Sequence, residues 1–235
     1  MNIHPLDILP LKKNKKKIEF PQIPQPLQAP CFTTIICSPT KSGKSLLTVN
    51  LLRNHMFSYG DNIFEEIFYI SPTISLDPTL EIIFKDEDII KIHEEEELEH
   101  LDDILKDIIK NQKQKDEDER KHVLIVLDDM VEYFKTSKTL SKLPCFNRHY
   151  KISLILITQS FVALDRTIRK NATSYILFQI YNKRDLDDIE NEIGLNFPNF
   201  MDYYREATKE KYNFLYIDAR DMALYHNFKK LLWRK

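Results

Sequence analysis

The chain has 235 residues, 30% of them charged, and a formal net charge of −2 at pH 7. That length is enough to bury one large core, and the near-neutral balance excludes a protein that would bind nucleic acid by bulk charge alone. Cys31, Cys37 and Cys145 show neither a paired framework nor metal-ligand spacing, which excludes a disulfide scaffold or zinc module and reads as free thiols in a reducing compartment.

Residues 1–30 read as an extended arm. Its lysine cluster, from Lys12 to Lys17, is either a phosphate contact or a solvated tail, and Pro21, Pro24, Pro26 and Pro30 disfavour a helix. The amino terminus lacks a sustained apolar run, and no stretch approaches the roughly 20 apolar residues that span a bilayer, so no secretory or membrane segment is expected.

The run Thr33 to Cys37 is β-branched and reads as a strand. It enters Ser38, Pro39, Thr40, Lys41, Ser42, Gly43, Lys44 and Ser45, and Leu46 continues into a helix reaching about His55. A strand, a tight turn with inward N–H groups and a helix amino terminus together form a phosphate-binding loop. Lys44 would neutralise the β and γ phosphates of ATP, and the Ser45 hydroxyl would ligate Mg2+. Ser38 stands where the usual pattern has glycine. The competing reading is a loop in which Thr40 or Ser42 is only a helix cap.

A second strand is expected over Glu66–Ile70. From Leu80 to Gln114 the apolar residues Ile89, Ile92, Leu98, Leu101, Leu105 and Ile108 fall at helical spacing, with the acidic run Glu94–Glu97 on a solvated face. Residues 81–120 hold sixteen acids against seven Lys and Arg, so the rest of the chain is positive.

His122 to Leu127 is continuously apolar, as in a parallel strand buried on both faces, and it ends in Asp128 and Asp129. Ligands bind beyond the carboxyl ends of such strands. Asp128 is therefore placed to hold Mg2+, directly or through water, and Asp129 to orient or deprotonate a water. Alternatively the two acids cap a helix starting near Met130. The strand Ile152–Ile157 delivers Gln159 to the same edge, where an amide can sense the γ-phosphate.

A strand at Ser174–Phe178, helices at Lys183–Glu192 and Phe197–Thr208, a last strand at Tyr212–Ile217 and a basic amphipathic helix over Tyr225–Lys235 complete the reading. Strands separated by long crossovers lie parallel, which predicts an α/β fold of three layers around a mostly parallel sheet. The expected units are the arm (1–30), one nucleotide-binding domain (31–220) and the carboxyl-terminal helix (221–235).

The chain resembles the genome-packaging ATPases of large nucleocytoplasmic DNA viruses and of virophages, within the FtsK/HerA superfamily. The resemblance rests on Ser38–Ser45, Val126–Met130, Arg148–Ser153 running into Leu156–Gln159, and Thr167–Asn171. It implies an additional-strand, RecA-like P-loop core in which one strand lies between the phosphate-loop strand and the Asp128 strand. Glu66–Ile70 can fill that place if the acidic insert lies outside the sheet.

The resemblance further implies a homo-oligomeric ring, a pentamer or hexamer, that drives double-stranded DNA into a capsid and contacts capsid proteins in the host cytoplasm, at viral factories or in the virion. Arg148 would be the arginine finger reaching a neighbour's nucleotide, with Arg169 the alternative. Asp129 stands where many members carry glutamate. Candidate DNA contacts are Lys135, Lys138, Lys229, Lys230, Arg234 and Lys235. Competing functions are a helicase-like or segregation pump and a nucleotide-binding adaptor without turnover; a small-molecule kinase would need an acceptor pocket and lid for which there is no signal.

Overall fold

The structure is a computed structural model and describes residues 23–53, 63–77, 80 and 90–235. Its centre is a nine-stranded sheet. The strands are β1 (Thr33–Cys37), β2 (Glu66–Ile70), β3 (Ile90–His93), β4 (Val123–Asp128), β5 (Ile152–Thr158), β6 (Ser174–Leu177), β7 (Leu215–Asp218), β8 (Ala223–His226) and β9 (Lys230–Arg234). Their spatial order is β3-β2-β4-β5-β1-β6-β7-β8-β9, parallel through β6 and antiparallel beyond it.

The central strands β1, β4 and β5 are mostly apolar because this placement buries each on both faces, and the buried Thr34 and Ser153 that they carry are hydrogen-bonded. Successive side chains point to opposite sides. Ile35, Ile125, Leu127, Leu154 and Leu156 enter one core, and Ile36, Leu124, Val126, Ile155 and Ile157 enter the other. Each such side chain contributes about 1.5–3 kcal/mol by leaving water. Helices cover both faces: α1 (Lys44–Arg53) closes one, while α2 (Leu101–Lys113), α4 (Lys138–Phe146), α6 (Lys183–Glu192) and α7 (Phe200–Ala207) close the other, with the short helices α3 (Tyr133–Thr136) and α5 (Arg166–Asn171) beside them. This is the three-layer α/β architecture expected.

Three expectations fail in detail. The strand between β1 and β4 is β5, and Glu66–Ile70 lies on the far side of β4. Sequence order does not fix spatial order, and the seven wholly buried residues of β5 suit the central slot. The acidic insert also enters the sheet, because Ile90–His93 pairs with the open edge of β2. Ile92 is thus a strand residue; helical spacing holds only from Leu101, with Leu105 and Ile108 buried as expected, and Ile89 lies outside the described residues.

The third correction is the carboxyl terminus, where a hairpin replaces the helix. Tyr225, Phe228 and Leu232 mimic a helical spacing, but Asn227 adopts a left-handed φ of 55° and turns the chain. Asparagine tolerates that region better than most residues. Trp233 then packs edge-on against Phe197, with ring centroids 5.4 Å apart, and the exposed Lys230 and Arg234 lie on the outermost strand, where charge discourages further pairing.

Of the arm, residues 1–22, including the lysine cluster, lie outside the described residues. Residues 23–30 fold against this domain: Leu27 and Gln28 are buried, the Gln28 amide donates to Asp218 Oδ1 at 2.6 Å, and the Tyr216 hydroxyl donates to the Pro26 carbonyl at 3.2 Å. Among the described residues no helix is long and apolar enough to cross a membrane.

Candidate active site

Parallel pairing sets the level at which the loops leave the sheet. Cys37 is opposite Thr158, and Asp128 is opposite Ile157. Ser38, Asp129 and Gln159 therefore emerge side by side at the carboxyl edge.

The Ser38 amide donates to the Thr158 carbonyl at 3.0 Å, tying the start of the loop to β5. Left-handed backbone occurs at Lys41 (φ 59°) and Gly43 (φ 95°), not at Ser38. Replacing the first glycine by serine therefore brings no backbone strain. Gly43 is different: a Cβ there would meet the Tyr212 ring at 3.1 Å, and its φ disfavours any L side chain.

Lys44 opens α1 and places Nζ 3.1 Å from Asp129 Oδ2. The Gln159 amide donates to the same oxygen at 2.6 Å. Asp129 holds φ 58°, a left-handed conformation that Asp and Asn adopt most readily among side-chain-bearing residues. Its own amide donates to the Ile157 carbonyl at 3.0 Å. Neither acid caps the following helix, which begins at Tyr133 with Glu132 in the cap position.

Asp128 is 4% exposed, and its Oδ2 accepts from the Tyr69 hydroxyl at 2.9 Å. Burial pushes its carboxyl up to about 6, against the partial relief given by Lys44 and the Tyr69 hydrogen bond. Burial likewise raises the Tyr69 hydroxyl well above its usual value, so it remains a donor.

Four buried polar atoms here have no partner among the described residues: Ser38 Oγ, Ser42 Oγ, Asp128 Oδ1 and Asp129 Oδ1. Buried polar atoms are normally satisfied, so this concentration marks a place built for a polar ligand. Among the described residues no three His, Cys, Asp or Glu side chains cluster as a metal cage. The donor set is instead all oxygen, and it suits a hard cation shared with phosphates, for which Ser45 and Asp128 could supply the protein's ligands. A cleft of about 400 Å3 opens beside Asp129 and Gln159, bounded by Pro72, Leu98, Val131 and Tyr133.

Two contributors escape a reading of motifs. Tyr69 sits inside an ordinary apolar strand, and only strand order brings it to Asp128. Asp185, buried at the start of α6, accepts from Ser160 Oγ at 3.0 Å and from the Val162 amide at 2.9 Å, which braces the loop carrying Gln159.

Arg148 lies elsewhere. It is exposed on the turn Asn147–Tyr150 that precedes β5, at the opposite edge of the sheet, and its guanidinium makes no ion pair with a described residue. Arg169, the alternative finger, is committed: 10% exposed, it grips Glu192 through Nε (3.0 Å) and Nη2 (2.7 Å) and lies 5.1 Å from the Phe161 ring centroid. Its geometry braces α5 against α6. Lys135, Lys138 and Lys229 are exposed, whereas Lys230 pairs with Glu206 and Arg234 with Asp221.

A parallel core, a phosphate loop, a paired acid and an amide on the intervening strand define the class, a P-loop ATPase of the FtsK/HerA type. The family model of the poxvirus A32 protein matches residues 23–220, and the chain belongs to that family. Similar solved structures include the DNA-packaging ATPase B204 of Sulfolobus turreted icosahedral virus, at 18% identity and TM-score 0.59 over 84% of this chain and 97% of that one. B204 of Sulfolobus turreted icosahedral virus 2 in complex with AMPPCP matches at 17% identity and TM-score 0.57, over 83% and 96%. The pCW3 conjugation coupling protein TcpA with ATPγS matches at 16% identity and TM-score 0.55, over 86% of this chain and 60% of that chain. No curated protein matches in sequence.

The Asp128 geometry has a measurable consequence. In the unfolded chain the carboxyl ionises near 3.8, whereas in the fold it ionises near 6, so the folded ligand-free protein loses stability as pH rises between those values and carries the full penalty above 6. Asp128→Asn is expected to raise the stability of ligand-free protein at pH 7.5 by about 1–3 kcal/mol. Scanning calorimetry should show the gain shrinking towards zero near pH 4; a pH-independent difference would refute the assignment.

Proposed function

We propose that the protein hydrolyses ATP to drive double-stranded DNA into a viral capsid. The observation that carries the reading is the convergence of the Lys44 ammonium and the Gln159 amide on one oxygen of Asp129, beside a phosphate loop with unpartnered buried hydroxyls.

In this reading the loop amides and Lys44 bind the phosphates, and Ser45 and Asp128 hold Mg2+. Bound magnesium would neutralise charge on the phosphate oxygens. Asp129, kept between Lys44 and Gln159, orients the attacking water and takes its proton; Gln159 registers the terminal phosphate. Asp128 carries a raised carboxyl only while its burial is uncompensated, and a divalent cation beside it favours the ionised form.

The same reading makes the working unit a ring. Arg148, exposed, without an ion pair among the described residues and remote from its own chain's loop, suits a contact with a neighbour's nucleotide, where a trans-acting arginine is worth about 10³–10⁵ in rate. Five or six subunits would enclose a duplex, with capsid proteins and the infected cell's cytoplasm as the setting. The adaptor alternative rests on the missing glycine, and Ser38 is not among the residues with left-handed backbone.

Steady-state phosphate release tests the proposal. Turnover should rise when duplex DNA is added, with little sequence preference, and the stimulation should fall as salt is raised. Phosphate release that DNA leaves unchanged at low salt would count against translocation.

A further inference from the structure

Asp129 and Gln159 fix which end of a nucleotide lies where. They stand at the β4–β5 side of the phosphate loop, so a terminal phosphate there sends the rest of the nucleotide towards the opposite flank, past β1 to β6 and β7. On that flank lies a second cavity, of about 270 Å3, lined by Leu47, Leu51, Tyr212, Phe214 and Phe228, with Asn50, Asn227 and Lys229 at its polar margin.

The cavity adjoins the loop through Leu47 and Tyr212. Leu47 lies one helical turn, about 5 Å, beyond Lys44 on α1, and its amide donates to the Gly43 carbonyl at 2.9 Å. Tyr212 packs against Gly43 so closely that a Cβ at Gly43 would lie 3.1 Å from the ring. The Tyr212 side chain thus touches the loop and lines the cavity.

Two further features set Tyr212 apart. It is 58% exposed, a large apolar surface left in solvent. It also holds φ 71°, a left-handed conformation that bulky residues rarely adopt and that concentrates at ligand sites. The exposed Lys211 ammonium lies 4.7 Å from the ring centroid; exposed contacts of this kind are weak, so a flat ligand can take over that face.

We propose that Tyr212, with Leu47 and Phe228, forms the platform for the nucleobase of the bound nucleoside triphosphate. The proposal rests on the phosphate-loop reading. Recognition is mainly by stacking: among the described residues no carboxylate lines the cavity, the Asn50 amide donates to the Leu46 carbonyl at 2.8 Å, and the Asn227 amide donates to Asn213 Oδ1 at 3.0 Å while its oxygen accepts from the Phe214 amide at 3.0 Å.

Calorimetric titration of the full chain with Mg-ATP and with Mg-tripolyphosphate, which has phosphates but no base, tests it. Tyr212→Ala should weaken ATP binding about tenfold to a hundredfold, the usual effect of losing one aromatic under a base, and leave tripolyphosphate binding unchanged. Tyr212→Phe should bind ATP as the wild type does. Equal ATP affinity in wild type and Tyr212→Ala would overturn the proposal. So would equal weakening of both ligands, which would make Tyr212 only a prop for Gly43. If wild-type protein binds neither ligand, the phosphate-loop reading falls and takes this inference with it.

Discussion

Lys44→Ala should lower steady-state phosphate release by at least about 10²–10³-fold, the loss expected when one preorganised charge is removed from a developing oxyanion. The half-buried ammonium has one described carboxylate partner, Asp129 at 3.1 Å, and it also relieves the buried charge of Asp128. Its removal takes away the cation at the loop and leaves two neighbouring acids less compensated, so nucleotide affinity should fall together with the rate. Global unfolding is not the cause in this account. Alanine is the best helix former for the first position of α1, and the backbone carbonyl of residue 44 still accepts from the Thr48 hydroxyl. Circular dichroism should be unchanged while turnover is lost; turnover near the wild-type rate would contradict the role given to Lys44.

Asp129→Asn should reduce kcat by about 10²–10⁴, the range over which a positioned general base acts, with ATP affinity retained or improved because a negative charge beside the phosphates is gone. Asparagine suits this position. It keeps the side-chain shape and accepts the left-handed backbone at φ 58°, so the change isolates chemistry from strain. The same backbone favours aspartate over glutamate here, since the longer side chain tolerates that conformation less readily. A kinetic split, with kcat reduced and KM unchanged or lower, marks Asp129 as acting in the transition state. A raised KM with kcat intact would make it a ground-state contact instead.

The parts of this site that a sequence reveals are those where one strand ends in one polar group. An uninterrupted apolar run states that a strand is buried on both faces, and the first polar residue after it must then stand at the sheet edge. Asp128, Asp129 and Gln159 are legible in this way, and Lys44 from the strand, turn and helix start that form the phosphate loop. Relations between strands are not. Tyr69 reaches Asp128 only because β2 lies beside β4, and Asp185 supports the Gln159 loop only because α6 packs beneath it. The left-handed backbone at Lys41, rather than at Ser38, likewise depends on how the loop is tied to β5.

Short amphipathic segments are ambiguous for a related reason. Residues 225–235 carry apolar positions compatible with either period, and the open antiparallel edge of β7 decides for a hairpin. Ile90–His93 is decided by the open edge of β2. That Glu192, 23 residues on, holds the guanidinium of Arg169, the alternative finger, is shown by no local pattern.

The most direct test of the central claim is a crystal structure with Mg2+ and a non-hydrolysable ATP analogue. The account predicts the terminal phosphate beside Lys44 Nζ, the metal on Ser45 and Asp128, and Gln159 and Asp129 facing the same phosphate. A nucleotide bound away from the carboxyl edge of β1, β4 and β5, or a metal that touches neither Ser45 nor Asp128, would contradict it.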